Sequence, residues 1–181
     1  MKNMTTNEYE KLISTLVNHT IMRVVYYEVF SEDSEEYWNN NEFDSLDFGL
    51  DLHTKSGECF GIMWGSEFYQ YGVSILNHSL KEELSAYKSF DVSRKSNWNS
   101  YIDKSITDTK IIRSWLIETD SLNKTYYPQD LILTFENNKS VYISALQILD
   151  EKNIHYMTDN ITVIFDKEGA NKYNIGNSSY S

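Results

Sequence analysis

The stretch "DLILTFENNKSVYISALQI" (130–148) constrains the fold more than any other part of the chain. Leu131, Leu133 and Phe135 recur at every second position, Asn137 and Asn138 follow, and Val141, Ile143 and Ala145 resume the same period. Successive strand residues point to opposite faces, so a period of two marks a strand with one buried face. Asn tolerates the left-handed backbone of a tight hairpin turn. The segment is therefore predicted to be an antiparallel hairpin. A second alternation lies in "SLDFGLDLH" (45–53). There Leu46, Phe48, Leu50 and Leu52 interleave with Ser45, Asp47, Gly49, Asp51 and His53, the pattern of a half-buried strand. "TKSGE" then makes a turn, and "CFGIMWG" returns as its partner.

The β-branched and aromatic runs "TIMRVVYYEVF" (20–30), "VSILN", "TDTKIIRSWLIE" (107–118) and "NITVIFD" (160–166) are further expected strands. Pro128, the only proline, is placed at a strand start, where no amide hydrogen is needed. Two helices are expected. Thr5 and Glu8 form a capping box ahead of Tyr9, Leu12, Ile13, Leu16 and Val17, and Ser79 and Glu82 form another ahead of Leu80, Leu84 and Tyr87. Residues 88–105 read as irregular. About seven strands with two helices imply an α+β domain built on a largely antiparallel sheet. A length of 181 residues suits one domain, taken as 1–171, with a frayed tail over 172–181.

Charge narrows the partners. Twenty-seven acids against 16 bases give a net charge of −11, which repels phosphate backbones and anionic lipid and favours basic partners. Nucleic-acid and membrane roles are therefore not expected. Met1 to Asn18 carries no apolar leader and no run approaches a membrane span, so the expected location is the cytoplasm. There is no Gly-rich phosphate loop, Ser66 lacks a nucleophile elbow, and the lone Cys59 excludes an internal disulfide. No cofactor is expected. Asp51 and His53, two apart on one strand face, are the candidate metal ligands, with Asp47, Glu58, His78 or His155 as conceivable additions.

The remaining signal is aromatic. "WGSEFYQYG" (64–72) sets Trp64, Phe68, Tyr69 and Tyr71 between two glycines, and "SEDSEEYW" (31–38) is an acidic loop ending in aromatics. Tyr and Trp combine apolar area with a polar handle and are enriched at interfaces. With its single-domain length, its acidic loop and aromatic strand ends such as "WGSEFYQYG" and "YYPQDL", the chain resembles the immunity proteins of bacterial polymorphic-toxin systems. That resemblance implies a small, acidic, cytoplasmic domain that binds and blocks a toxin, and it carries no residue roles.

Two functions follow. The first is a non-enzymatic binding protein that neutralises a basic toxin partner through Glu32, Asp33, Glu35, Glu36, Tyr37, Trp38, Glu67, Tyr69 and Tyr71. The second is a small-ligand- or metal-binding hydrolytic domain, using Asp51, His53 and Glu67 in a pocket walled by Trp64 and Tyr69. A general interaction module is a third class.

Overall fold

The N-terminal helix α1 spans Thr6–Ser14. Its apolar period places Tyr9 and Ile13 in the core, with Leu16 just beyond its end. The computed structural model describes residues 6–29, 38–66, 71–118 and 121–177, so Thr5 of the expected capping box lies outside the described residues. The Tyr9 hydroxyl donates to the Val73 carbonyl and ties the helix to the sheet.

Ten strands form one sheet. They are β1 (Thr20–Val29), β2 (Asp44–Leu46), β3 (Gly49–Thr54), β4 (Cys59–Gly65), β5 (Gly72–Leu76), β6 (Tyr87–Asp91), β7 (Lys104–Ile117), β8 (Lys124–Phe135), β9 (Ser140–Ser144) and β12 (Ile161–Ile164). Between the last two, β10 (Leu146–Asp150) and β11 (Asn153–Tyr156) make a separate hairpin. The order is β2-β12-β9-β8-β7-β1-β3-β4-β5, with β6 also paired to β1, and every pairing is antiparallel. The protein is thus α+β, as its alternating segments predict.

The sheet rolls over, bringing the edge strand β5 against β8. Gly72 makes this crossing possible, because a Cβ there would stand 2.6 Å from the Pro128 carbonyl oxygen. Between the two halves lies the main core. Val24, Tyr26, Leu50, Leu52, Phe60, Ile62, Val73 and Ile75 come from one side, and Leu131, Leu133, Phe135, Val141, Ile143, Ile161 and Val163 from the other. Burying each such aliphatic side chain contributes about 1.5–3 kcal/mol. Trp98, Tyr101, Phe135 and Phe165 pack edge to face at one end.

A buried polar chain runs through this core. Trp98 Nε1–H donates to the Tyr26 hydroxyl at 2.5 Å, and that hydroxyl donates to Asp44 Oδ2 at 2.6 Å. Trp38, 3 % exposed, stacks edge-on against Tyr26. It therefore belongs to the core and does not present the contact surface expected of it.

Several other expectations are corrected. Residues 45–53 are two strands rather than one: β2 pairs with β12 and β3 with β1. The face predicted to be wet is covered at Gly49 and Asp51, which is fully buried, while Asp47 is exposed and Ser45 and His53 are half-buried. Phe48 turns to the opposite side, into a second cluster with Val25, Tyr27 and Leu80. The expected internal helix is a single 3-10 turn at Leu80–Glu82 capped by Ser79, and Tyr87 opens β6. Pro128 sits inside β8, beside a bulge at Gln129 rather than at the strand start. A second helix, α2 (Lys167–Lys172), precedes a tail whose Tyr173 and Ile175 are buried. The Asp130 carboxylate accepts from Gly176 N–H at 2.7 Å, so the predicted fraying does not begin at Lys172.

Gly72→Val should place side-chain carbons against the Pro128 carbonyl. A loss of about 1–3 kcal/mol, read as a lowered melting temperature in thermal denaturation, is expected. An unchanged melting temperature would mean that the β5–β8 crossing is not tight.

Candidate functional site

Asp51, His53 and Cys59 come together on the outer face of the β3–β4 pair. Asp51 and His53 share a face because they are two apart on β3. Cys59 joins them because the tight "TKSGE" turn pairs His53 directly with Cys59. Gly57, with φ at 97°, lets that turn close. Ligand atoms of the three side chains lie within 4.8 Å of one another. The turn length in the sequence carries this register, and Cys59 was the member not recognised as a partner of His53.

Asp51 is the centre of this cluster. Its Oδ2 accepts from the Tyr27 hydroxyl at 2.8 Å and from the Ser79 hydroxyl at 2.5 Å, while Oδ1 accepts from Leu80 N–H at 2.9 Å. These bonds hold the 3-10 turn onto the sheet. His53 Nε2 lies 3.8 Å from Oδ2, the one basic side chain paired with Asp51 among the described residues. Burial first, and then the Asp51 and Glu82 carboxylates, push the Cys59 thiol up to about 12. Burial likewise pushes Tyr27 up to about 12, which keeps its hydroxyl a donor.

The other conceivable ligands do not join. His78 Nε2 is 2.7 Å from Glu83, Glu58 accepts from Thr54 and faces His19, and His155 belongs to the separate β10–β11 hairpin. Trp64 starts from the core face of β4, opposite to Asp51, and lines a different cleft of about 260 Å³ with Val29, Asp47 and Asn160. Trp64 therefore lines a cleft that neither Asp51 nor His53 lines, although it also packs against Phe48 of the outer-face cluster.

Beside that cleft, Glu28 accepts from Asp47 N–H at 3.2 Å, and its Oε1 is buried without a hydrogen-bond partner among the described residues. Burial pushes the Glu28 carboxyl up to about 8, and burial also pushes Asp44 up to about 6.

The exposed apolar surface lies elsewhere. β7 and β8 pair from Ile106↔Phe135 out to Ile117↔Lys124. β1 covers only the base of β7, and β9 covers β8 only from Asp130 to Thr134. The distal part is a two-stranded arm, residues 113–117 and 124–128. Trp115 stands opposite Tyr126 and Ile117 opposite Lys124, so these four share one face. Ser114 and Tyr127, on the other face, are buried. Tyr126 is 53 % exposed, Ile117 57 % and Leu122 at the tip 79 %, while Trp115 is partly exposed. Lys124 Nζ lies 3.9 Å from the Trp115 ring centroid, a cation–π contact.

Leu122 also adopts φ of 57°, a left-handed backbone that Gly or Asn fills with less strain. Neither burial nor backbone preference accounts for a leucine there. The sequence places Trp115 and Ile117 in a strand but leaves their face undecided, because Ile111, Ile112, Leu116 and Ile117 break the alternation.

Of the predicted contact residues, Tyr71 is partly exposed and packs edge-on against Trp64. Glu32, Asp33, Glu35, Glu36, Tyr37, Glu67 and Tyr69 lie outside the described residues. Among the described residues, no helix is long and apolar enough to cross a membrane. No family model matches the sequence, and no curated protein or solved structure matches the chain.

The raised carboxyls carry a pH signature. A carboxyl whose value is higher folded than unfolded favours the fold at low pH and loses that contribution as pH rises through the folded value. Asp44 rises from 3.8 to about 6 and Glu28 from 4.5 to about 8, so stability should fall from about pH 4 to about pH 8. Exposed acids with lowered values, such as Glu42 and Asp150, act in the opposite sense, at and below the acid end of that window. Glu28→Gln should match the wild-type melting temperature near pH 4 and exceed it near pH 9. Parallel pH profiles for the two proteins would rule out Glu28 as the source.

Proposed function

We propose that the protein is a non-enzymatic binding domain of the immunity type, which neutralises a basic toxin partner by docking on it. The observation that supports this reading is the arm face formed by Trp115, Ile117, Leu122 and Tyr126, which no part of the described chain covers. An aromatic face left in water is costly in a soluble domain and gains free energy when a partner buries it. Lys124 over Trp115 adds a cationic point that an acidic or carbonyl-rich rim would satisfy.

Charge supplies the other half. A net charge of −11 attracts a basic partner over distances comparable with the Debye length, while the aromatic face supplies affinity once contact is made. The acids Glu32, Asp33, Glu35 and Glu36, with Tyr37, Glu67, Tyr69 and Tyr71, remain the proposed steering and partner-binding residues. A cytoplasmic location goes with this reading, since the toxin would be met inside the producing cell.

The test uses the product of the adjacent open reading frame as probe. The wild-type chain should bind it by titration calorimetry and restore growth when the two are co-expressed. Trp115→Ala with Tyr126→Ala should weaken binding by about 30-fold or more, the loss of one strong anchor. Neutralising the four loop acids should slow association at low salt and leave dissociation unchanged. Undiminished affinity in the double variant would remove the arm as the contact surface, and absence of binding by the wild type would overturn the toxin assignment.

A further inference from the structure

We propose that Asp51, His53 and Cys59 form a binding site for a borderline divalent transition-metal ion of the zinc type. The inference is independent of the binding function, because the cluster lies on the β3–β4 pair and not on the β7–β8 arm.

The donor set is the first support. A carboxylate oxygen, an imidazole nitrogen and a thiol sulfur within 4.8 Å of one another form a mixed O, N, S set that suits zinc and its analogues better than magnesium or calcium. The strand pairing fixes all three. Asp51 and His53 are held two apart on β3, and Cys59 is held across the ladder from His53. Three protein ligands leave the fourth tetrahedral position to water, as in open zinc sites.

The second support is the state of Asp51. Its side chain is fully buried, yet its hydrogen-bond donors are the neutral Tyr27 and Ser79 hydroxyls and the Leu80 amide. A buried carboxylate is costly without a compensating cation, and here no lysine or arginine ion pair to Asp51 occurs among the described residues. Those three donors also hold the carboxylate in a fixed orientation, as outer hydrogen bonds do for a ligating carboxylate. His53 and Cys59 are only partly buried, which leaves an entry path from solvent.

Binding is an exchange of a proton for a metal ion. The Cys59 S–H bond breaks, its proton passes to the buffer, and the sulfur forms a bond to the ion as aqua ligands leave. The thiolate and the Asp51 carboxylate together balance the two positive charges, and His53 binds as neutral imidazole. The ion would clamp β3 and β4 beside the 3-10 turn.

Cobalt(II) chloride added to the purified full-length protein tests the assignment, because a thiolate bound to cobalt gives a near-ultraviolet charge-transfer band and tetrahedral coordination gives strong visible bands. One equivalent of cobalt should produce both, and one equivalent of zinc should abolish them. Cys59→Ser should lose the charge-transfer band, and His53→Gln should weaken cobalt affinity at least tenfold. Far-ultraviolet circular dichroism shows whether each variant is folded, and both substitutions leave the Asp51 hydrogen bonds in place. Absence of a charge-transfer band in the wild type overturns the proposal, as does a band that survives in Cys59→Ser. Loss of toxin binding with retention of the cobalt spectrum would overturn the proposed function and leave the metal site standing.

Discussion

The buried chain from Trp98 through Tyr26 to Asp44 is the constraint around which the fold is arranged. It joins the 3-10 helix Ser96–Ser100 ahead of β7, the centre of β1 and the start of β2, three regions far apart in sequence. A buried polar group without a partner costs far more than a satisfied one gains. The three side chains therefore fix one another's positions, and the rolled sheet must close around them. Trp38 packs edge-on onto Tyr26 and adds its ring to this buried group.

Rolling the sheet has a second consequence. β3 is buried on both faces, by the main core on one side and by the cluster of Val25, Tyr27, Phe48 and Leu80 on the other. Asp51 can occupy the second face only because Tyr27, Ser79 and the Leu80 amide meet its oxygens. The same arrangement that satisfies the carboxylate holds it beside His53 and Cys59. The β7–β8 arm is the opposite case: it runs past the strands that flank it, so its aromatic face has nothing of the chain to pack on. One region is over-determined and the other is left open, which places the Asp51–His53–Cys59 cluster and the exposed aromatic face at separate points of one sheet.

Much of the strand content was legible in the sequence. The hairpin of 130–145 has Leu131, Leu133, Phe135, Val141, Ile143 and Ala145 all buried, with Asn138 at φ of 59° in its turn. The helix of Tyr9 and Ile13 and the turn at Gly57 were legible for the same reason, since each is specified by neighbouring residues. The misplaced elements are those whose environment is set from afar. Asp51 alternates correctly and was expected in water, but the 3-10 turn that covers it comes from 28 positions or more further on in the chain. Tyr173 and Ile175 looked like tail residues until Asp130 and the β10–β11 hairpin gave them a place.

By itself the sequence determined the α+β class, the antiparallel pairing and the acidic charge, because period, turn chemistry and net charge are local or additive properties. It also carried the His53–Cys59 register, through the length of one tight turn. Only the tertiary structure decided which face of each strand is covered. Trp38 became core and Trp115 surface although both are tryptophans, because burial depends on what a distant strand brings opposite, and periodicity describes one strand at a time.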